Sequence, residues 1–516
     1  MRRTIVLAVL DGYGIGANDD TNPIFLANPA TINYIRKNYL SGALQASGIA
    51  VGLPWGEEGN SEVGHLTLGA GKIIYQHFPR ISLAIKDKSF FANEVLAKAF
   101  AHAKDGARVH LVGLLTEGSV HASFDHLEAL VQYARISGVS KLSLHLLTDG
   151  KDSAPRSAPA LLKKLAAILE REGVGEIASI GGRFYGMDRD EHYDRIKKAY
   201  DAMTGKGAVA NNSLQWIEQS YASGLEDEFI APAAINPDAC VKEGDAIIFF
   251  NFREDSMRQL PEAFIAPTFD KFPVLPAAKL SVATFTAYSP KFTAPVAFPM
   301  ERVDFPLGKV LADKGLVQLR IAETEKYAHV TYFFDGLANA VYPNEYRILI
   351  PSQNIARHDE HPEMMASEIA RRVVAAVEEG GSDFILCNFA NPDLIAHTGN
   401  MEATKSAITT VDQELARVLD VCLKRDAVLI VTADHGNAER LRNPLTGAPE
   451  TKHDASPVPV AIVGKEFVSV KTDTEFAASQ SEIAGLLSDV APTILSIMGI
   501  PKPDEMTGEN LIPNLH

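Results

Sequence analysis

Short, largely apolar runs alternate with amphipathic stretches of helical period along almost the whole chain, and this alternation limits the possible folds more than any other feature. Runs at residues 4–10, 109–115, 142–147, 246–250, 280–284, 317–321, 384–389 and 427–432 predict strands buried on both faces. Stretches at 158–172, 362–379 and 404–423 predict helices between them. Alternation at this spacing predicts α/β architecture, with parallel sheets covered by helices. At about 100–200 residues per domain, 516 residues suggest two to four domains, or a large sheet carrying an insertion. No internal repeat or low-complexity tract interrupts the pattern.

Hydrophobic residues make up 46% of the chain and charged residues 22%, too apolar for a disordered protein. The 49 basic and 65 acidic side chains leave a formal charge of −16, which argues against a nucleic-acid binder or an anionic-membrane binder. A local cluster of cations could still hold a small anion. Cys240, Cys387 and Cys422 lie far apart, giving neither a disulfide framework nor a thiolate metal site. No apolar run approaches the ~18–20 residues that span a bilayer. The stretch 4–10 after Arg2 and Arg3 is too short for a signal-peptide core and predicts a first buried strand. A cytoplasmic, monomeric protein is the expectation.

The chemically dense segments lie at both ends, 11–65 and 326–453, with another between them. That arrangement predicts a discontinuous domain, 1–77 with 301–516, interrupted by an inserted domain over 78–300. The proline-rich stretch 290–306 is the expected return, and 75–79 the exit.

Three groups of residues carry chemistry. The first is a set of carboxylates and imidazoles just after apolar runs: Asp11, Asp393 with His397 at i,i+4, Asp434 with His435, and His453 in TKHDASPVPV. In open α/β sheets ligands bind beyond the carboxyl ends of the strands, so these residues can converge. Mixed oxygen and nitrogen donors suit Mn²⁺ or Zn²⁺ better than Mg²⁺ or Ca²⁺. A single Asp-His pair is more often a cap or an ion pair, so the reading rests on the set. His358 and His361 sit in a polar stretch and read as solvated.

The second group is GNSEVGH, residues 59–65, whose glycines would let the chain turn sharply and present Ser61. A serine hydroxyl needs a base or a metal to become a nucleophile. The third is a cationic set: Arg183, Arg189 and Arg195 in GGRFYGMDRDEHYDR, with Arg253 and Arg258 in FFNFREDSMRQL. His121, Lys151 and Asp152 accompany them. Clustered arginine forks in an acidic protein point to a small polyanionic ligand, although Arg195, or any one of these arginines taken alone, reads readily as a surface ion pair.

Together these segments resemble the cofactor-independent phosphoglycerate mutases of the alkaline phosphatase superfamily. GNSEVGH, AETEKYAHVTYFF, NFANPD, AHTG and TADHGNAE stand in that family's order, from Asp11 to about Pro459. The resemblance implies an alkaline-phosphatase-like parallel-sheet domain interrupted by a second α/β domain. It implies two Mn²⁺, one held by Asp393, His397 and His453 and the other by Asp11, Ser61, Asp434 and His435. Ser61 would become phosphoserine, Lys326 would hold the phosphoryl group, and no 2,3-bisphosphoglycerate would be required. His121, Asp152, Arg183, Arg189 and Arg253 would grip a phosphoglycerate, with Lys151 beside them. The implied reaction interconverts 3-phosphoglycerate and 2-phosphoglycerate in glycolysis and gluconeogenesis. Asp152 is the expected proton shuttle. Phosphoserine open to water would hydrolyse, so a mutase must also exclude solvent during transfer.

Two positions depart from the family. Lys151 stands where GRD is usual, and Ser256 ends what is usually Arg-x-x-Arg from Arg253. Lysine keeps the charge without the fork, and serine loses the charge. The TEGS segment before His121 is a milder change from the usual aspartate-glycine-glycine. Rival readings are a metal-dependent phosphohydrolase or mutase of the same superfamily acting on another substrate, and a binding protein that lost turnover.

Overall fold

The structure is a computed structural model that describes residues 3–102 and 106–516. The chain divides into two compact units, one made of Met1–Gln76 with Glu301–His516 and the other of His77–Met300. In chain order the strands are β1 (Ile5–Leu10) and β2 (Leu40–Gln45), both in the first unit. The second unit holds β3 (Val109–Leu115), β4 (Leu142–Thr148), β5 (Glu176–Gly182), β6 (Ala208–Val209), β7 (Ala233–Ala234), β8 (Ala246–Phe249) and β9 (Ser281–Thr284). The first unit resumes with β10 (Gln318–Glu323), β11 (Glu345–Ile350), β12 (Phe384–Phe389), β13 (Val428–Thr432), β14 (Val458–Val463) and β15 (Ile483–Leu486).

In the first unit the strand order is β11-β10-β12-β1-β13-β14-β2-β15. Every residue of β1 is buried, as expected of a central strand covered on both faces, and it pairs in parallel with β12 and β13. The core of this unit joins β1, β12 and β13 to apolar positions of helices Ala366–Glu379 and Met401–Arg425. One strand departs from the parallel arrangement: β14 runs antiparallel to both β13 and β2. The chain after β13 makes a long loop instead of a crossover, so β14 begins at the edge where its neighbours end. That reversal places His453, five residues before β14, at the carboxyl edge of β1, β12 and β13.

The second unit has order β6-β7-β5-β4-β3-β8-β9, parallel except where β7 pairs antiparallel with β5. Its core is separate, built from β3, β4, β8 and helices that include Phe124–Ile136 and Ala158–Glu172. No helix among the described residues is long and apolar enough to cross a membrane.

Candidate functional site

In the first unit the chemistry-bearing side chains gather at the carboxyl edge of the sheet. Asp11 follows β1, Asp393 lies in helix Asn391–Ala396 after β12, and Asp434 and His435 follow β13. Ser61 is the first residue of helix Ser61–Ala70, capped by Asn60, whose Oδ1 accepts the Val63 N–H at 3.1 Å. The flanking glycines do not make the sharp turn expected of them: neither Gly59 nor Gly64 has a positive φ. They permit close approach instead. A Cβ on Gly64 would lie 2.5 Å from the Asp434 carbonyl oxygen, and one on Gly59 would lie 2.2 Å from that of Ala46. The serine helix is thereby pressed against the Asp434 loop.

The Ser61 hydroxyl donates to Asp11 Oδ1 at 3.1 Å and lies 3.0 Å from His435 Nε2. His435 Nε2 is 3.5 Å from Asp11 Oδ1, 3.6 Å from Asp434 Oδ2 and 3.9 Å from Asp393 Oδ1. Asp393 Oδ1 lies 3.3 Å from His397 Nε2 and 3.4 Å from His453 Nε2, and those two nitrogens are 3.1 Å apart. Donor atoms of Asp393, His435 and His453, and likewise of Asp11, Asp434 and His435, all fall within 4.8 Å of one another. The seven residues expected to ligate metal are thus brought together.

The imidazoles are oriented for cation binding. Nδ1 of His397 donates to the Thr451 carbonyl at 2.8 Å, Nδ1 of His453 to Gly59 at 2.8 Å, and Nδ1 of His435 to Gly436 at 3.2 Å. A carbonyl only accepts, so each proton sits on Nδ1 and each Nε2 lone pair faces the carboxylates. Two such lone pairs 3.1 Å apart repel unless a proton or a cation lies between them. Asp434 Oδ2 is buried and accepts no hydrogen bond. His65 Nδ1 is 3.1 Å from that oxygen but gives its proton to the Ser61 carbonyl at 2.9 Å. These donors fit divalent cations.

Among the described residues Lys326 is the fixed cation of the cluster, in the turn after β10. Its Nζ donates to Asp11 Oδ1 at 2.6 Å, Ser61 Oγ at 2.7 Å and Asp393 Oδ2 at 2.8 Å. Burial favours the neutral amine, but Asp11, Asp393 and Asp434 override it and hold the Lys326 pKa above its ordinary value. Burial likewise works against a charged His435, yet Asp434, Asp11 and Asp393 raise its pKa to about 10. A proton and a metal therefore compete for His435 Nε2.

Sequence reasoning gave no role to several residues that support this cluster. Asn388 Nδ2 donates to Asp11 Oδ2 at 2.7 Å and lies 3.0 Å from His65 Nε2. Asn437 Nδ2 donates to Asp393 Oδ1 at 2.8 Å. His65 closes the GNSEVGH segment four residues after Ser61, one helical turn on, and that spacing was the available signal. Asn388 lies inside an apolar run, where a lone amide could have been noticed.

The second unit carries its own cleft of about 360 Å³ at the carboxyl ends of β3, β4, β5 and β8. His121, Lys151, Asp152, Arg183, Arg189 and Arg253 all line it. Arg183 Nη1 donates to Asp149 Oδ1 at 2.6 Å and to Asp152 Oδ2 at 2.5 Å. Asp149, unnoticed in the sequence, also accepts from the hydroxyls of Thr116 and Ser153, at 2.5 and 2.6 Å, so it anchors this corner. Arg189 and Arg253 share Asp255, at 2.8 and 3.3 Å. Lys151, 64% exposed, pairs with Glu228 at 3.6 Å on the cleft wall. Arg195 pairs with Asp188 at 2.8 Å and stacks on Phe184 while also lining the cleft.

Ser256 is buried, and its hydroxyl lies 3.0 Å from His121 Nδ1. The Ser256 hydroxyl thus fixes the orientation of the His121 imidazole. Burial, reinforced by Arg183, lowers the His121 pKa to about 4, so the ring is neutral near pH 7.

Comparison with known proteins decides the family. Residues 3–502 match the model of the Metalloenzyme superfamily. The chain is 43% identical over 516 residues to the 2,3-bisphosphoglycerate-independent phosphoglycerate mutase of Symbiobacterium thermophilum, covering 99% of this chain and 98% of that one. It is 42% identical over 514 residues to the enzyme of the same name from Pseudomonas entomophila, with the same coverage. The chain belongs to the 2,3-bisphosphoglycerate-independent phosphoglycerate mutases. A solved structure of Leishmania mexicana phosphoglycerate mutase matches at a TM-score of 0.54 and 29% identity, over 99% of this chain and 97% of that one. Membership in this metalloenzyme family carries dependence on divalent metal, and the carboxylates and imidazoles of the first unit suit it.

Proposed function

We propose that the chain interconverts 3-phosphoglycerate and 2-phosphoglycerate through phosphoserine at Ser61. One observation carries this reading: the Ser61 hydroxyl lies within 3.1 Å of Asp11, His435 and Lys326, inside a cluster suited to two divalent cations. Asp393, His397 and His453 would hold one, and Asp11, Ser61, Asp434 and His435 the other; mixed oxygen and nitrogen donors suit Mn²⁺ or Zn²⁺, and the family resemblance favours Mn²⁺. Such ions lower the pKa of a serine hydroxyl and screen the transferring oxygens.

The chain's own residues do the rest. Ser61 Oγ attacks the phosphorus in line, forming an O–P bond as the bond to the glycerate oxygen breaks. Lys326 neutralises charge on the phosphoryl oxygens, since this chemistry depends on positioning and electrostatics more than on covalent assistance. In the second unit Arg183, Arg189, Arg253 and Lys151 bind the glycerate carboxylate and phosphate. Asp152, beside Arg183 and 3.9 Å from His121, moves the proton between the two glycerate hydroxyls. The other hydroxyl then takes the phosphoryl group back from Ser61. The division of the chain supports a metal-binding domain of both termini and an inserted substrate-binding domain. The three cysteines are free and buried, in keeping with a cytoplasmic site of action. Each unit has its own hydrophobic core, and monomer is the proposed state.

The test is an assay with 3-phosphoglycerate that follows 2-phosphoglycerate and inorganic phosphate together, with and without chelator. Mutase activity predicts chelator-sensitive 2-phosphoglycerate with little phosphate. Phosphate without 2-phosphoglycerate would make the chain a hydrolase.

A further inference from the structure

Arg36 is a buried cation without a counter-ion among the described residues. It lies in the last turn of helix Ala30–Asn38 and is 6% exposed. Among the described residues its guanidinium donates to no acceptor, and no carboxylate lies within ion-pair distance. Nε and Nη2, the two nitrogens of its side-on edge, are both buried and unpartnered. Burial lowers the Arg36 pKa only to about 10, so the charge remains at neutral pH.

The Phe476 ring, 5.9 Å from the guanidinium carbon, offers the face of a π system but no charge, and the other surroundings do not supply one. Asp412, at the other end of the helix, is committed to the N–H groups of Thr31 and Ile32, at 2.9 and 2.8 Å. The buried ammonium of Lys471 donates to the Arg36 carbonyl at 3.0 Å and to Tyr39 O at 2.6 Å, adding a second positive charge nearby. The helix C-terminus offers only partial negative charge. An unpaired buried charge is costly, and proteins hold one where a ligand completes it.

Arg36 also lines a cavity of about 220 Å³ in the first unit, together with Tyr13, Asn18, Asn28 and the Gly14–Gly16 backbone. No carboxylate lines it. The side-chain amides of Asn18 and Asn28 donate to no described group, leaving further donors for an acceptor. We propose that this cavity binds a small oxyanion, a phosphate or a carboxylate, on the Arg36 guanidinium. It is distinct from the Ser61 cluster and from the second unit's cleft, since it shares no side chain with either.

The test is calorimetric titration of the full-length, metal-loaded protein with inorganic phosphate. Wild type is expected to show a class of saturable sites that Arg36→Met weakens by ~10-fold or more, the scale of losing a charge-assisted pair. Arg183→Met keeps that class while altering the second unit's cleft. Removing an unpaired charge should leave the Arg36→Met unfolding midpoint unchanged or higher without phosphate. Asn28→Asp places a carboxylate on the cavity wall and should weaken the same sites with Arg36 intact. Acetate that displaces phosphate would define a general oxyanion site, and acetate that does not would restrict it to phosphate. Phosphate binding that is the same in wild type, Arg36→Met and Asn28→Asp overturns the proposal.

Discussion

The Nζ of Lys326 lies 2.7 Å from the Oγ of Ser61, although the two residues are 265 positions apart. The ammonium is fixed by Asp11 and Asp393, so it faces the site of phosphoryl attachment without having to be gathered by substrate. Three buried carboxylates, Asp11, Asp393 and Asp434, surround this single lysine, leaving negative charge for divalent cations.

Replacing this lysine separates its role from that of the metals. Lys326→Met should lower kcat by ~10²–10³-fold, the scale of losing one preorganised charge at the transferring group. Metal affinity should hold or rise, because a competing cation has gone. Steady-state kinetics and metal titration on one preparation check both.

Asn388 acts through Asp11, which its amide orients at 2.7 Å. Asn388→Ala should cost about 10–100-fold in metal affinity or activity, as is typical for groups that position a ligand. Activity titrated against added metal reads this loss, and excess metal should restore part of the rate.

Ser256→Ala removes the hydroxyl held 3.0 Å from His121. With one hydrogen bond worth about 0.5–1.5 kcal/mol, KM in steady-state kinetics should rise roughly 2- to 12-fold. An unchanged KM would mean that His121 needs no such support.

Acid should weaken the second unit through its buried histidines. Burial lowers the His126 pKa from 6.5 to about 3 and lowers that of His110 as well, so both are neutral near pH 7 in the folded protein. The unfolded chain takes up their protons first. Stability is therefore full above about pH 6.5 and falls progressively as pH drops toward 3. Thermal unfolding followed from pH 7 to 4 should show this decline, and His126→Gln should make it shallower.

The sequence revealed the site better than its setting. Residues 109–115 and 384–389 are strands with those bounds, and helix Ala158–Glu172 begins and ends as its periodicity suggests, because apolar burial dictates both. Gln318, Arg320 and Glu323 are buried polar residues in β10, so the strand runs two residues past the apolar stretch that announced it. The strand β2, LSGALQ, lacks a continuous apolar run and is fixed by pairing with β14 and β15, a tertiary effect no local pattern contains. Asp11, Asp393, Asp434 and His435 were legible because each follows a recognisable strand. Asn60 and Asn437 were not, since an amide in a loop looks the same whether it caps a helix, orients a ligand or faces water. The bond between Ser256 and His121 joins segments 135 residues apart, so only the fold could reveal it.

The most direct measurement is a rapid quench of the metal-loaded enzyme with 3-phosphoglycerate carrying a labelled phosphoryl group, followed by peptide mapping. Label should appear on the peptide that contains Ser61, and Ser61→Ala should show neither label nor 2-phosphoglycerate above background. Turnover that continues at the wild-type rate in Ser61→Ala would contradict the account.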